Sequence, residues 1–140
     1  MLCLVPTPIG NLEDISQRSL RILVEAELIF CEDTRVTKKL LNLLGERNNL
    51  DFSNKEYKSF HSHNEDKILK SLDKETFSKN VVYVSDAGMP CVSDPGATLV
   101  DYCIKNEIPY DVLPGANAIL TAYAMSGFST TTFSFYGFLD

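Results

Sequence analysis

The chain has 140 residues, 44% hydrophobic and 23% charged, with a formal net charge of −6 and a pI near 4.9. That is enough for one domain with its own core, and the acidic balance argues against gripping nucleic acid through a broad basic surface, so any such surface must be local or come from another body. No apolar run is long enough to span a bilayer, no secretory leader is seen, and Cys3, Cys31, Cys91 and Cys103 form no Cys-x-x-Cys pair; the expectation is a cytoplasmic protein with buried, reduced thiols.

In chain order, Leu2 to Val5 predicts a strand. Leu20, Leu23 and Val24 give a helical stripe, and Asp14 and Gln17 have capping-box spacing ahead of it. Leu28 to Cys31 is a second strand. Val36, Leu40, Leu43 and Leu44 make a second helical stripe, with Gly45 as its expected C-terminal cap. Tyr57 to His61 predicts a third strand, and Ile68, Leu69 and Leu72 a short helix. Val81 to Val84 is a continuous apolar run suited to the middle of a sheet. Asp94-Pro95 is a helix start with Pro at the first helical position, followed by Leu99, Val100, Cys103 and Ile104 on one face. Tyr110 to Leu113 is a fifth strand, and Ile119, Leu120, Tyr123 and Ala124 face a last helix ending at Gly127. Strand and helix alternating five times predicts an α/β fold, a five-stranded mainly parallel sheet flanked by helices. Phe128, Phe133, Phe135, Tyr136 and Phe138 make an aromatic tail that reads as feeding into a second domain or a partner.

Ligands of such sheets bind beyond the carboxyl ends of the strands, which is where the unusual loops fall. The first, residues 6–14, is stiffened by Pro6 and Pro8 and freed at Gly10. It carries neither a Gly-x-Gly-x-x-Gly fingerprint nor a P-loop, and alone it reads equally as a structural turn or a ligand loop. The second holds Glu32, Asp33, Thr34 and Arg35, with Lys38 and Lys39 behind them. Its carboxylates suit proton transfer or orienting hydroxyls, and its cations suit phosphate contact; a capped helix with a solvated cationic face is the other reading. The third is His61-Ser62-His63-Asn64-Glu65. With no further His and no nearby Cys, it reads as the polar wall of a cleft or a helix start at Asn64, and no metal is expected. The fourth, Ser85-Asp86-Ala87-Gly88-Met89-Pro90 followed by Ser93-Asp94-Pro95-Gly96, is dense in small residues, and Asp86 suits an ammonium or a hydroxyl. The fifth, Pro114-Gly115-Ala116-Asn117-Ala118, leaves room for a flat adenine or a methionyl group, or else serves close helix-to-sheet packing.

Taken in order, residues 7–14, Glu32-Asp33-Thr34-Arg35, residues 85–90, Ser93-Asp94-Pro95-Gly96 and Pro114-Gly115 resemble the small-subunit ribosomal RNA methyltransferase I family, a branch of the tetrapyrrole methylases. Phe-Tyr-Gly-Phe-Leu at 135–139 fits as well, whereas Ala116-Asn117 stands where that family's Pro-Ser is expected. The resemblance implies a tetrapyrrole-methylase-like N-terminal domain over residues 1–140, a C-terminal domain beyond this chain, a homodimer, and S-adenosylmethionine in the cleft between domains. It implies 2′-O-methylation of a cytidine ribose in small-subunit (16S) ribosomal RNA, with that RNA as partner and no membrane. Pro8, Ile9, Gly10, Asp86, Ala87, Gly88, Met89, Pro90, Asn117, Ala118 and Ile119 would then line the cofactor cleft. Asp33, His61 and Asp86 are the catalytic candidates, and Glu32, which also suits a base, joins Arg35, Lys38 and His63 in substrate binding. Methylation of a corrin or porphyrin precursor, and a non-catalytic binding or dimerisation module, are the competing readings.

Overall fold

The computed structural model describes residues 1–139. Five strands form one sheet: β1 (Leu2–Leu4), β2 (Leu28–Cys31), β3 (Glu56–Ser59), β4 (Val81–Val84) and β5 (Tyr110–Val112). Their order is β3-β2-β4-β1-β5, and every pairing is parallel. The expected sheet is therefore present and wholly parallel, with Val81–Val84 at its centre.

Successive residues of a strand face opposite sides, and both sides of this sheet are covered. On one, Cys3, Ile29, Cys31, Val82 and Val84 pack with Leu20 and Leu23 of α1 (Gln17–Glu25) and Leu41 and Leu44 of α2 (Thr34–Asn48). On the other, Leu2, Leu4, Phe30, Val81 and Tyr83 pack with Phe60 and with Leu99 and Cys103 of α4 (Gly96–Lys105), flanked by Ile68 and Leu69 of α3 (Glu65–Ser71). Two covered faces explain why the inner strands are apolar throughout rather than alternating. Cys3, Cys31 and Cys103 are buried, as expected, but Cys91 is only half-buried; all four are free thiols. Among the described residues no helix is long and apolar enough to cross a membrane.

Several local expectations are corrected. The cap of α1 is Ser16, whose Oγ accepts the Ser19 N–H at 2.9 Å, while Asp14 closes a 3-10 turn ahead of it; there is no Asp14–Gln17 box. Gly45 does not end α2. The helix runs to Asn48 and stops at Asn49 in the left-handed region (φ 53°), and Gly45 is small because the returning chain crosses it, with Leu50 O only 2.7 Å from where a Cβ would stand. The buried face of α2 is Thr37, Leu41 and Leu44, so the expected Val36 and Leu43 point outward. Ile104 of α4 is exposed too, and Pro95 precedes that helix rather than opening it. β3 begins and ends earlier than expected, leaving Phe60 and His61 in the loop.

The largest departure is α5 (Ala118–Met125). Its sequence is apolar all round, yet none of its residues is buried. A helix of that composition ordinarily lies inside a core. Here Leu120 and Met125 face outward with Phe128, Tyr136 and Phe138 of the tail.

Candidate functional site

Because all five strands run the same way, their carboxyl ends share one edge, and three adjacent strands, β4, β1 and β5, bring the first, fourth and fifth loops together. The first and fourth are joined by an isolated antiparallel bridge between Thr7 and Gly88. Thr7 N–H donates to Gly88 O at 3.1 Å and Gly88 N–H to Thr7 O at 3.0 Å. Ser85, buried beneath, places its hydroxyl 3.2 Å from Gly88 O and 3.3 Å from Ala87 O. Gly88 has φ +80°, and a Cβ there would sit 3.0 Å from Ile9 Cγ2. Only glycine meets both requirements cheaply.

Above this bridge lies a hollow of about 290 Å³. It is lined by Ile9 from the first loop, residues 87–89 with Val92 and Ser93 from the fourth, and residues 117–119 from the fifth. Of the residues expected here, Ile9, Ala87, Gly88, Met89, Asn117, Ala118 and Ile119 meet; Pro8, Gly10, Asp86 and Pro90 lie outside the lining. Asn117 caps α5, its Oδ1 accepting the N–H groups of Ile119 at 2.9 Å and Leu120 at 3.0 Å. The remaining wall is Phe135, Gly137 and Phe138, which sequence reasoning had sent to another body. The aromatic cluster was the signal; its destination depended on the chain folding back until Gly137 lies against Ser93.

The second and third loops, at β2 and β3, enclose a different space. Glu32, His61, Ser62, Glu65, Ser93, Asp94, Pro95 and Thr98 wall a hollow of about 390 Å³. Glu32 Oε1 accepts the Asp86 N–H at 3.1 Å, and Asp86 Oδ1 accepts the Asp33 N–H at 3.3 Å, so the second and fourth loops are cross-linked by carboxylates. Burial, reinforced by the charges of Asp86 and Asp94 and opposed by the Asp86 N–H, raises the Glu32 pKa. Asp33 is held the opposite way. Its carboxylate caps α2 through Arg35 N–H at 2.9 Å and pairs with the Arg35 guanidinium at 2.8 Å, which holds its pKa down to about 2. Such a carboxylate is a weak base. His61 Nδ1 accepts the His63 N–H at 3.2 Å, which puts the proton of a neutral ring on Nε2. Asn64 opens α3, with its side-chain oxygen on His61 N–H at 2.9 Å and its amide donating to Ser59 O at 3.0 Å. Arg35 is largely exposed, and Lys38 lies 5.1 Å from the Tyr57 ring centre. Glu65 closes the third loop as read from the sequence and opens α3 in the structure, whereas Thr98, which also belongs to this hollow, was not singled out; on α4 it looks like an ordinary helical surface position.

The profile of the tetrapyrrole (corrin/porphyrin) methylases matches residues 1–139. The chain is 51% identical over 140 residues to the ribosomal RNA small subunit methyltransferase I of Campylobacter fetus subsp. fetus, covering 99% of this chain and 52% of that one. It is 47% identical over 146 residues to the protein of the same name from Helicobacter pylori J99, covering 99% and 50%. The chain thus spans about half the length of these relatives. Among solved structures, the uroporphyrin-III C-methyltransferase of Thermus thermophilus complexed with S-adenosyl homocysteine aligns with a TM-score of 0.59 at 20% identity, covering 87% of this chain and 51% of that one. That likeness concerns the fold.

Proposed function

We propose that this chain, which belongs to the tetrapyrrole (corrin/porphyrin) methylase family, forms the donor-binding half of an S-adenosylmethionine-dependent methyltransferase acting on small-subunit ribosomal RNA. The observation that carries the donor site is the convergence of Ile9, residues 87–89 and residues 117–119 on one hollow. Its walls are mainly apolar, with Ser93 and Asn117 as the polar side chains among them. That combination suits a flat adenine and a methionyl chain anchored by a few polar groups. Bound there, S-adenosylmethionine supplies an electrophilic methyl group carried on a sulfonium. The likeness to relatives named for small-subunit ribosomal RNA supports RNA as acceptor, and the finer reading is the ribose 2′-hydroxyl of a cytidine.

What remains for the protein is alignment, exclusion of water and removal of one proton. A neutral hydroxyl is a weak nucleophile, so a carboxylate near it accelerates attack. Among the acidic candidates Glu32 fits best, because it walls the hollow that adjoins the donor site at Ser93 and burial raises its pKa. Asp33 is committed to Arg35, and His61 offers a donor rather than a free ring nitrogen at Nδ1. The uncovered apolar surface of α5 and the tail supports a further body, either the other half of the relatives' length or a second copy, closing over the donor.

Calorimetric titration with S-adenosylhomocysteine, paired with transfer of labelled methyl groups to small ribosomal subunits, tests this reading. The expected result is one-to-one binding that Ala118→Trp abolishes. Absence of binding, or binding indifferent to Ala118→Trp, removes the donor site.

A further inference from the structure

After α5 the chain reverses. Gly127 takes a positive φ of 70°, and the Ser126 hydroxyl oxygen accepts the Phe128 N–H at 3.1 Å. A second turn follows, in which Thr132 N–H donates to the Thr130 hydroxyl oxygen at 3.2 Å. Beyond it, alternate residues face the body of the protein. Phe133 stacks on Tyr123 of α5, with ring centres 5.0 Å apart and planes at 28°. Phe135 and Gly137 wall the donor hollow. Tyr136 between them is 81% exposed, against 50% and 49% for Phe133 and Phe135. Such alternation is that of a chain lying flat with successive side chains on opposite sides.

Among the described residues no backbone–backbone hydrogen bond joins residues 128–139 to the rest of the fold. The segment is held at its start by the Tyr123 ring and by the Tyr123 hydroxyl, which donates to Thr130 O. At its far end Gly137, with φ 74°, sits so close to Ser93 that an added Cβ would lie 3.3 Å from Ser93 Oγ. A segment tied down by a few side chains opens at little cost.

Resting on the donor-site reading above, we infer that residues 130–138 are a strap that closes over bound S-adenosylmethionine, with the Phe135 ring as the platform for its adenine and the Tyr123–Phe133 stack as the latch. The loops after β1, β4 and β5 give the hollow only aliphatic and small polar side chains, and its aromatic rings come from the tail. A flat heteroaromatic base gains from stacking on such a ring. The methionyl end carries a carboxylate, which the negative face of a phenyl ring disfavours. Tyr123 and Phe133 are not part of the wall, so they are positioning residues that act on the donor through Phe135.

The chain contains no tryptophan, so Phe135→Trp places a single fluorescent reporter on the platform and Tyr136→Trp places one on the opposite side. On titration with S-adenosylhomocysteine, the indole of Phe135→Trp is expected to be quenched by the stacked adenine and that of Tyr136→Trp to be unchanged. By calorimetry, Phe135→Ala is expected to weaken S-adenosylhomocysteine about tenfold, near the worth of one base-on-ring stack, and Phe135→Tyr to restore it. Tyr123→Ala is expected to weaken binding several-fold at an unfolding temperature close to the parent's, since no residue of α5 is buried. Amide exchange across residues 130–137 is expected to slow when S-adenosylhomocysteine binds the parent and not when it binds Tyr123→Ala. An unquenched indole in Phe135→Trp, equal quenching in Tyr136→Trp, parental affinity in Phe135→Ala or Tyr123→Ala, or exchange indifferent to the ligand would each overturn the strap. A parent that binds S-adenosylhomocysteine no better than Phe135→Ala loses the strap alone; a parent that binds none loses the donor site with it.

Discussion

Thr7 and Gly88 lie 81 positions apart in sequence and exchange both of their backbone hydrogen bonds, at 3.0 and 3.1 Å. This pair locks the loop after β1 to the loop after β4, beneath the hollow proposed for the methyl donor. Gly88→Ala adds a Cβ 3.0 Å from Ile9 Cγ2 at a positive φ of 80°. The expected cost is about 1–3 kcal/mol of stability, with about a tenfold loss of S-adenosylhomocysteine affinity as Ile9 shifts. Urea unfolding and calorimetric titration check the two effects separately, and full affinity in the variant would show that the bridge is not a floor.

Glu32→Gln keeps an oxygen for the Asp86 N–H but cannot take a proton. Methyl transfer is expected to fall by about 10²–10⁴-fold, the usual worth of a general base. The fold should not suffer. Burial raises the pKa of Glu32, so the charged form is the disfavoured one in the folded state, and its penalty builds as pH rises from the unfolded value to the folded one and stays constant above it. Thermal unfolding at neutral pH should therefore show Glu32→Gln at least as stable as the parent. Activity within a few-fold of the parent would assign the proton to another group.

The Asp33–Arg35 pair gives a pH signature of opposite sign. The Asp33 pKa is lowered from 3.8 to about 2, first by the Arg35 side-chain hydrogen bond and then by the Arg35 N–H. A depressed carboxylate stabilises the fold above its unfolded value and loses that contribution as pH falls through its folded value. The stability difference between the parent and Asp33→Asn is therefore expected to be flat above about pH 4 and to shrink toward pH 2. Arg35 is exposed and Asp33 partly so, and added salt should diminish the effect. Urea midpoints across that range decide it, and a difference independent of pH would show that the pair is not formed.

Gly45→Ala sets helix propensity against space. Alanine is favoured inside a helix by about 1 kcal/mol, but here its Cβ would stand 2.7 Å from the Leu50 carbonyl oxygen and 3.3 Å from Phe52 Cδ2. Overpacking against backbone costs about 1–3 kcal/mol, so net destabilisation is expected. A raised unfolding temperature would show that the turn after α2 yields readily.

Particular elements show how far the chain could be read directly. Val81–Val84 was legible to the residue, since four apolar residues between turn signals admit a buried strand and little else. The loop around Gly88 reads as a functional loop because small residues are concentrated there, whereas the one around Asn117 reads equally as close helix-to-sheet packing; the structure brings both to one hollow. Asp86, equally prominent, spends its carboxylate on the Asp33 N–H outside the donor hollow. Thr98 carried no sequence signal, because its relevance comes from facing Glu65 across two helices.

Sequence by itself determined the alternating α/β pattern, the apolar strands and the turns that can approach a ligand, since period and turn chemistry act over a few residues. Tertiary structure alone decided the strand order, which face of α2 turns inward, and the division of one rim into two hollows meeting at Ser93. Those outcomes follow from how distant segments share one sheet, where each strand's neighbours are chosen by the packing of the whole core rather than by its own residues.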